Sequence, residues 1–372
     1  MKATILIFLT GWWLWTGSAL CAWAGESEPA TAPAGATAGE IQDYQKWAFF
    51  PVIASSTETG LQLGALAVRF FQPDTPGGKS STIDFIGFGT VEGQYFAGIT
   101  PNFYFNKELY HAFGSLSGKF WPANYYGIGN DTAEENKETY DATGVGARIG
   151  LERKFFDLFH AGVLYRYVNE RMDAPENGEL VREGVTGVDG GVRSGAGVVF
   201  SHDTRDNIND ARRGAYLRYE ALFFEEGLGS DYRYLDHELD LRTYWPTTPS
   251  TSLAVRGFLT MKRGRIPFQD LSTPDGFDLL RGIEKGRYRE RDMAAAQLEW
   301  RFPIYGRFNG TVFAETAQTA YEISALNNDG WKYSLGSGLR YALNPAERFN
   351  IRLDLSFVDG GFGLALGIRE AF

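Results

Sequence analysis

Apolar and polar residues alternate one by one along several stretches of this chain, and this period of two is the pattern that restricts its fold most. Successive side chains of a β-strand point to opposite faces, so each such stretch predicts a strand with one apolar and one polar face. The same alternation runs through residues 331–341 and through 361–372, where Phe372 falls on the apolar parity. The clearest example spans 348–357, where the apolar members are Phe349, Ile351, Leu353, Leu355 and Phe357.

The polar faces of these strands decide which side of the sheet meets the apolar phase. They carry many Arg, Glu, Asp and Gly residues, whereas the apolar faces often end in Trp, Tyr or Phe. A dry core between two sheets could not hold those charges, but the wet interior of a barrel can, with aromatic girdles at two membrane interfaces. We therefore predict an all-β transmembrane antiparallel β-barrel. A soluble periplasmic β protein is the alternative.

Sixteen candidate strands can be counted, an even number as bacterial barrels require. The connections from odd to even strands include the long ones, and most of those from even to odd strands are short. Long loops face the outside of the cell in such barrels, so both termini are expected in the periplasm. The predicted strands are 45–55, 60–72, 81–92, 94–106, 108–120, 139–155, 158–169, 186–202, 213–225, 231–245, 251–265, 293–304, 307–318, 330–343, 346–357 and 361–372.

The chain begins with a pattern typical of secretion signals. Lys2 precedes an apolar stretch from Ile5 to Trp15, and Ala22-Trp23-Ala24 has the small-x-small order of a cleavage site. We expect a signal peptide over 1–24, a flexible periplasmic tether over 25–44 and an outer-membrane barrel over 45–372. A membrane anchor is the alternative for the first segment, although its apolar run is shorter than the ~20 residues of a spanning helix.

The longest connection, 266–292, is too long for a simple turn, and sixteen strands enclose a lumen that wall side chains cannot fill. We predict that this extracellular loop folds into the lumen. Glu299 lies on the inward parity of the following strand, and Glu315 lies one strand later. The planar guanidinium of Arg281 could bridge such carboxylates. Alternatively, Arg281 is one more solvated loop charge.

Several function classes are excluded by composition. The net charge of −10 argues against nucleic acid as a partner, since phosphate binding needs a basic face. One Cys allows neither an internal disulfide framework nor a Cys-rich zinc site. Among four His residues, His202 beside Asp203 is the best catalytic candidate, but it falls at a predicted turn where Asp is an ordinary turn former. We expect no catalytic residues, cofactor or metal site.

The second half of the chain resembles the BamA/TamA-type outer-membrane assembly family, whose members carry the bacterial surface antigen barrel. The family's loop motif of an apolar residue, Arg, Gly and an aromatic is matched except for Ile283 in the aromatic slot. Phe313-Ala314-Glu315 stands where members usually carry Phe-x-Asp, so the acid is one methylene longer. The matching stretches are 280–283 with 286–288, 201–207 leading to 213–214, 299–303, and 349–355 with the terminal Phe372.

This resemblance implies that Arg281 and Gly282 of the loop dock against Glu299 and Glu315 inside the wall, and that Phe372 belongs to a closing strand. It also implies a weak seam between the first and last strands, used to insert barrel proteins or to pass polypeptide across the membrane. About twenty residues separate Gly25 from the first strand, too few for a POTRA domain, so we expect a barrel-only member.

Two functions stay open on this evidence. One is insertion or translocation of polypeptides, with client outer-membrane proteins and a separate periplasmic module as candidate partners. The other is a passive pore or structural barrel without a protein client. In either case we expect the bacterial outer membrane as the location, with its lipid and lipopolysaccharide as surroundings.

Overall fold

The computed structural model describes residues 47–56, 59–72, 81–156, 159–345 and 348–372. The predicted signal peptide over 1–24 and the predicted tether over 25–44 lie outside these residues. Within the described ranges the chain forms sixteen strands joined by loops and a few short helical turns. The strands are β1 (Trp47–Ser56), β2 (Gly60–Phe71), β3 (Ser81–Thr90), β4 (Tyr95–Phe105), β5 (Tyr110–Tyr125), β6 (Glu138–Phe155), β7 (Phe159–Asp173), β8 (Gly190–Asp203), β9 (Gly214–Phe224), β10 (Tyr234–Pro246), β11 (Ser252–Gly264), β12 (Asp292–Tyr305), β13 (Phe308–Ala320), β14 (Lys332–Asn344), β15 (Phe349–Val358) and β16 (Gly361–Ile368).

All sixteen strands belong to one sheet, in which each pairs antiparallel with its neighbours in sequence. The order runs from β1 to β16, and the sheet curves until these two strands lie beside each other. Across the described residues no β-ladder joins them. The predicted all-β antiparallel barrel of sixteen strands is confirmed.

Side-chain exposure follows the predicted alternation, with the apolar residues outside and the charges inside. In β15, Leu355 and Phe357 are 56% and 49% exposed, whereas Arg352 and Asp354 are almost completely buried. Water-soluble proteins show the opposite distribution, with apolar side chains buried and charged ones exposed. Here the apolar residues face outward because lipid covers the outer face of a membrane barrel, and its interior is polar. No helix in the described ranges is long and apolar enough to cross a membrane.

The connections sort by length as expected. The long ones, such as 126–137, 174–189 and 265–291, all follow odd-numbered strands, so the antiparallel order gathers them at one end of the barrel. Short turns such as 106–109 and 306–307 gather at the other end. Following the rule for bacterial barrels, we name these the extracellular and the periplasmic end.

The end of β16 differs from the prediction, which extended this strand to Phe372 with its ring on the lipid face. The strand ends at Ile368, and Arg369 takes a positive φ of 64° that turns the chain away from the sheet. Phe372 is buried and packs with Ala211, Tyr244 and Ala254. The alternation has one irregularity here, the charged Glu370 on the apolar parity, which the prediction treated as an exception within the strand.

The plug loop and its lock in the barrel lumen

The loop between β11 and β12, residues 265–291, folds into the barrel; we call it the plug loop. Two isolated bridges fix its base, one between Ser272 and Glu290 and one between Gly129 and Arg289. Further along, the carboxylate of Asp275 accepts the backbone N–H groups of residues 277, 278 and 279 at 2.8 to 2.9 Å. This tight turn leads to Leu280 and Gly282, both with positive φ, and places Arg281 between them at the tip.

Arg281 is completely buried and contacts carboxylates from three strands. Its Nε donates to Glu315 Oε1 at 2.7 Å, and its backbone N–H donates to Glu315 Oε2 at 2.6 Å. Nη1 donates to Asp354 Oδ2 at 3.0 Å, while Nη2 lies 2.9 Å from Glu299 Oε2. We call these four residues the lock. The planar guanidinium can meet all three acids at once because its donors diverge in one plane.

Two further contacts define the position of the tip. The Arg281 guanidinium lies 3.4 Å from the ring centroid of Phe313, a cation–π arrangement on the wall of β13. The hydroxyl of Ser334 on β14 donates to the Arg281 carbonyl at 2.7 Å. The tip of the plug loop is therefore held by strands β12, β13, β14 and β15 together.

Gly282 continues the tip toward the last strand. Its φ of 94° suits glycine, and a Cβ at this position would overlap the hydroxyl of Ser356. On the facing strand β16, a Cβ added to Gly363 would overlap the Cα of Gly282. The plug loop thus packs backbone to backbone against β16, which borders the β1–β16 junction.

Sequence reasoning named Arg281, Gly282, Glu299 and Glu315 as one site, and the structure brings all four together. Phe372, named separately as part of the closing strand, lies at the periplasmic end and packs with Ala211, Tyr244 and Ala254. Asp354 was missed as a lock residue. The alternation in the sequence places Asp354 on the inward face of β15, but many charged residues share that property. Only the fold shows which of them Arg281 contacts.

Three more arginines neutralise the acids of the lock. Arg301 Nε donates to Glu299 Oε1 at 2.7 Å. Arg340 donates to Asp354, and its Nη2 lies 3.7 Å from Glu299 Oε2. Arg352 pairs with Asp278 of the plug loop and lies 3.6 Å from Asp354 Oδ2. Buried charges are tolerated only when paired, and this network pairs them by alternating acids and arginines along the inner wall.

A second anchor holds the beginning of the plug loop, and sequence reasoning did not find it. Asp270 accepts from Arg166 Nη2 at 2.9 Å, lies 3.6 Å from Arg193 Nη1, and accepts the hydroxyl of Tyr234. Beside it, the ring of Phe268 packs edge-on against two tyrosines of β5 and β6. The first half of the loop is thus fixed to β5–β10, and its tip to β12–β16.

The last part of the plug loop joins the extracellular loops around it. Glu284 accepts from the Tyr126 hydroxyl at 2.6 Å, and Thr132 Oγ1 donates to the Arg287 carbonyl at 2.7 Å. Tyr288 donates to Asp359 at 2.6 Å, and burial together with this acid raises the pKa of Tyr288 well above its usual value. The hydroxyl therefore stays protonated and donates at neutral pH.

His202, the catalytic candidate from the sequence, stacks on Phe159 with ring centroids 4.5 Å apart near the periplasmic end of β8. No group of three His, Cys, Asp or Glu residues in the part of the chain described is arranged to hold a metal ion. The acids of the lock pair with arginines.

The fold and this locked loop define a plugged β-barrel of the outer-membrane type. The Omp85 superfamily domain matches residues 89–359, which is most of the chain, so the protein belongs to the Omp85 superfamily. No curated protein sequence matches it.

Solved structures with the same fold include two kinds of Omp85 protein. The crystal structure of BamA from Haemophilus ducreyi lacking POTRA domains 1–3 superposes with a TM-score of 0.62 at 14% identity, over 86% of this chain and 69% of that one. CdiB from Acinetobacter baumannii gives 0.56 at 11% identity, over 87% and 60%. CdiB from Escherichia coli gives 0.54 at 8% identity, over 84% and 58%. The chain thus spans between about three fifths and two thirds of these structures, and at such identities the likeness concerns the fold.

Proposed function

We propose that this chain is an outer-membrane factor that inserts barrel proteins into the membrane or passes polypeptide across it, through a weak seam between β1 and β16. Membership of the Omp85 superfamily and the structural likeness to BamA and CdiB support this choice of function class. The proposal places the protein in the bacterial outer membrane, in contact with lipid and lipopolysaccharide. Its partners would be client outer-membrane proteins and a separate periplasmic module.

The observation that carries the proposal is the buried lock beside the β1–β16 junction. A passive pore for small solutes needs an open lumen, whereas here Arg281 of the plug loop is bound inside the barrel by three carboxylates of the wall. The same loop packs against β16 through Gly282 and Gly363. A plug held on the strand that borders the junction is suited to a barrel that opens sideways.

Pro51 supports a weak seam from the other side. It lies within β1, whose pairing with β2 continues through Pro51 and Ala65 without a shift in register. Proline lacks an N–H and is tolerated in a sheet where that donor would point to a free edge. The edge of β1 that faces β16 is therefore expected to be one donor short, which weakens pairing there.

Depletion of the protein tests this function. We expect the abundance of a subset of other outer-membrane proteins, or of secreted polypeptides, to fall at least about twofold in quantitative proteomics of the isolated envelope. Wild-type protein should restore them, as should the matched control Arg307→Ala, which changes an exposed side chain in the periplasmic turn 306–307. If every other outer-membrane and secreted protein stays at its normal level, the assembly function is wrong and a barrel without a client is the better description.

A further inference from the structure

The segment after β16, residues 369–372, lies inside the periplasmic end of the barrel; we call it the tail segment. Arg369 begins it with a positive φ, a conformation that is strained for any residue other than glycine. Contacts further along must offset that cost. The Glu370 N–H donates to the Asn209 carbonyl at 3.1 Å, and the Arg369 N–H donates to the Asn350 carbonyl at 2.7 Å.

The side chains of the tail segment bind two arginines of the inner wall. The Glu370 carboxylate accepts from Arg340 Nε at 2.8 Å and from Asn350 Nδ2 at 3.1 Å. The Phe372 carbonyl accepts from Arg301 Nη2 at 2.8 Å. The Phe372 ring fills an apolar niche with Tyr244 and Ala254, and the Arg301 guanidinium lies 5.7 Å from its centroid.

Arg301 and Arg340 are two of the three arginines that neutralise the acids of the lock. Arg301 donates to Glu299, and Arg340 donates to Asp354, so a single side chain separates the tail segment from each of two acids that bind Arg281. The turn 204–213 joins the same centre, because Arg301 Nη1 donates to the Ala211 carbonyl at 2.9 Å and lies 3.3 Å from Asp210 Oδ1.

We propose that the tail segment and the turn 204–213 form a latch at the periplasmic end of the barrel. Displacing this latch from the periplasmic side weakens the lock on the plug loop. The physical reason is competition for carboxylates. With Glu370 and the Phe372 carbonyl in place, part of the hydrogen-bonding capacity of Arg301 and Arg340 is used. When these acceptors leave, both arginines are expected to turn toward Glu299 and Asp354 and draw them away from Arg281.

The latch goes beyond the proposed function, since it concerns closure of the lumen and holds whether or not the protein has a client. It gives the periplasmic side a means of control over a loop that enters from the extracellular side. The coupling is reciprocal by thermodynamic necessity, so loosening the lock must also loosen the tail segment.

Single-channel recording of purified protein in planar lipid bilayers tests the proposal. Glu370→Gln is expected to raise the fraction of time spent in open states, on the order of tenfold for loss of one charge-assisted contact. Phe372→Ala removes the ring from its apolar niche and is expected to act in the same direction. Phe362→Ala is the matched control. This residue lies on the lipid face of β16, the strand that precedes the tail segment, and is 89% exposed. In an Arg281→Ala background the tail variants should add nothing. Unchanged openings, or effects that add to those of Arg281→Ala, would overturn the latch.

A second measurement remains decisive if those variants fail to fold. Ala371→Cys introduces a buried thiol in the tail segment. A membrane-impermeant maleimide added from the periplasmic side should label it several-fold faster when Arg281→Ala is also present. Equal labelling rates in both backgrounds would show that the tail segment and the lock are not coupled, irrespective of any effect on client proteins.

Discussion

Gly282 of the plug loop and Gly363 of β16 approach so closely that neither has room for a side chain facing the other. The contact joins a loop that enters from the extracellular end to the strand that borders the β1–β16 junction. Movement of the plug loop and movement of β16 are therefore expected to depend on each other.

Gly363→Ala should push the tip of the plug loop away from β16. The added methyl group meets backbone, which cannot move aside as a flexible side chain would, and overpacking of this kind costs about 1–3 kcal/mol. Urea unfolding in lipid vesicles measures the loss. Gly361→Ala is the control on the same strand, because its Cβ would meet only the Val358 carbonyl oxygen at 3.8 Å. Equal stability of the two variants would contradict the close approach.

Arg281→Ala should destabilise the folded barrel by about 3–5 kcal/mol, since it leaves three buried carboxylates without their shared partner. Glu299→Ala should also destabilise it, because Arg281 loses one of its acids. A double-mutant cycle with urea unfolding checks the pairing, and the double variant should cost less than the sum of the single ones. Arg307→Ala, in the periplasmic turn 306–307, serves as the exposed control. Additive costs would mean that the two residues act independently.

Much of this site follows from sequence, and the remainder depends on the path of the chain. Period-two alternation predicts all sixteen strands because lipid outside and water inside require it of each one. Inward parity and the family resemblance together place Glu299 and Glu315 near Arg281. Neither reveals Asp354, which arrives from β15 only when the barrel curves around the plug loop. The bend at Arg369 coincides with one irregularity, Glu370 on the apolar parity, but a single exception does not distinguish a bend from a strand that continues.

The turn 204–213 should show a small dependence on pH through Asp206. Partial burial opposes ionisation, but hydrogen bonds from Arg348 and from the backbone of Arg212 and Arg213 hold the pKa of Asp206 below its usual value. Such a carboxylate stabilises the fold above its unfolded pKa of about 3.9 and stops doing so as pH falls through its folded pKa.

Asp206→Asn is therefore expected to lower stability at neutral pH and to match the wild type in acid. The side chains of this pair are 35% (Arg348) and 30% (Asp206) exposed and are screened by solvent, so the effect should be below about 1 kcal/mol. Urea unfolding at neutral pH and at roughly pH 3, within the range where paired carboxylates titrate, measures it. Asp329→Asn in an exposed extracellular loop is the control. If the difference in unfolding free energy between wild type and Asp206→Asn grows as the pH falls, the lowered pKa of Asp206 is contradicted.

Pro51→Ala should strengthen the β1–β16 junction by supplying the N–H that proline lacks. We expect slower amide hydrogen exchange in β16 and fewer lateral openings, because one more backbone hydrogen bond contributes about 0.5–1.5 kcal/mol. Pro246→Ala, at the exposed end of β10, is the control. Unchanged exchange in β16 of the Pro51→Ala variant would place the missing donor on the β2 side and remove this support for a weak seam.

The central claim is that the plug loop closes the lumen, and conductance in planar bilayers tests it most directly. Residues 274–288 can be replaced by a short glycine linker that keeps the Ser272–Glu290 bridge at the base of the loop. The native protein should conduct weakly and intermittently, and the deletion should produce large, steady currents. A native protein that already conducts steadily, with currents that the deletion leaves unchanged, would contradict the claim.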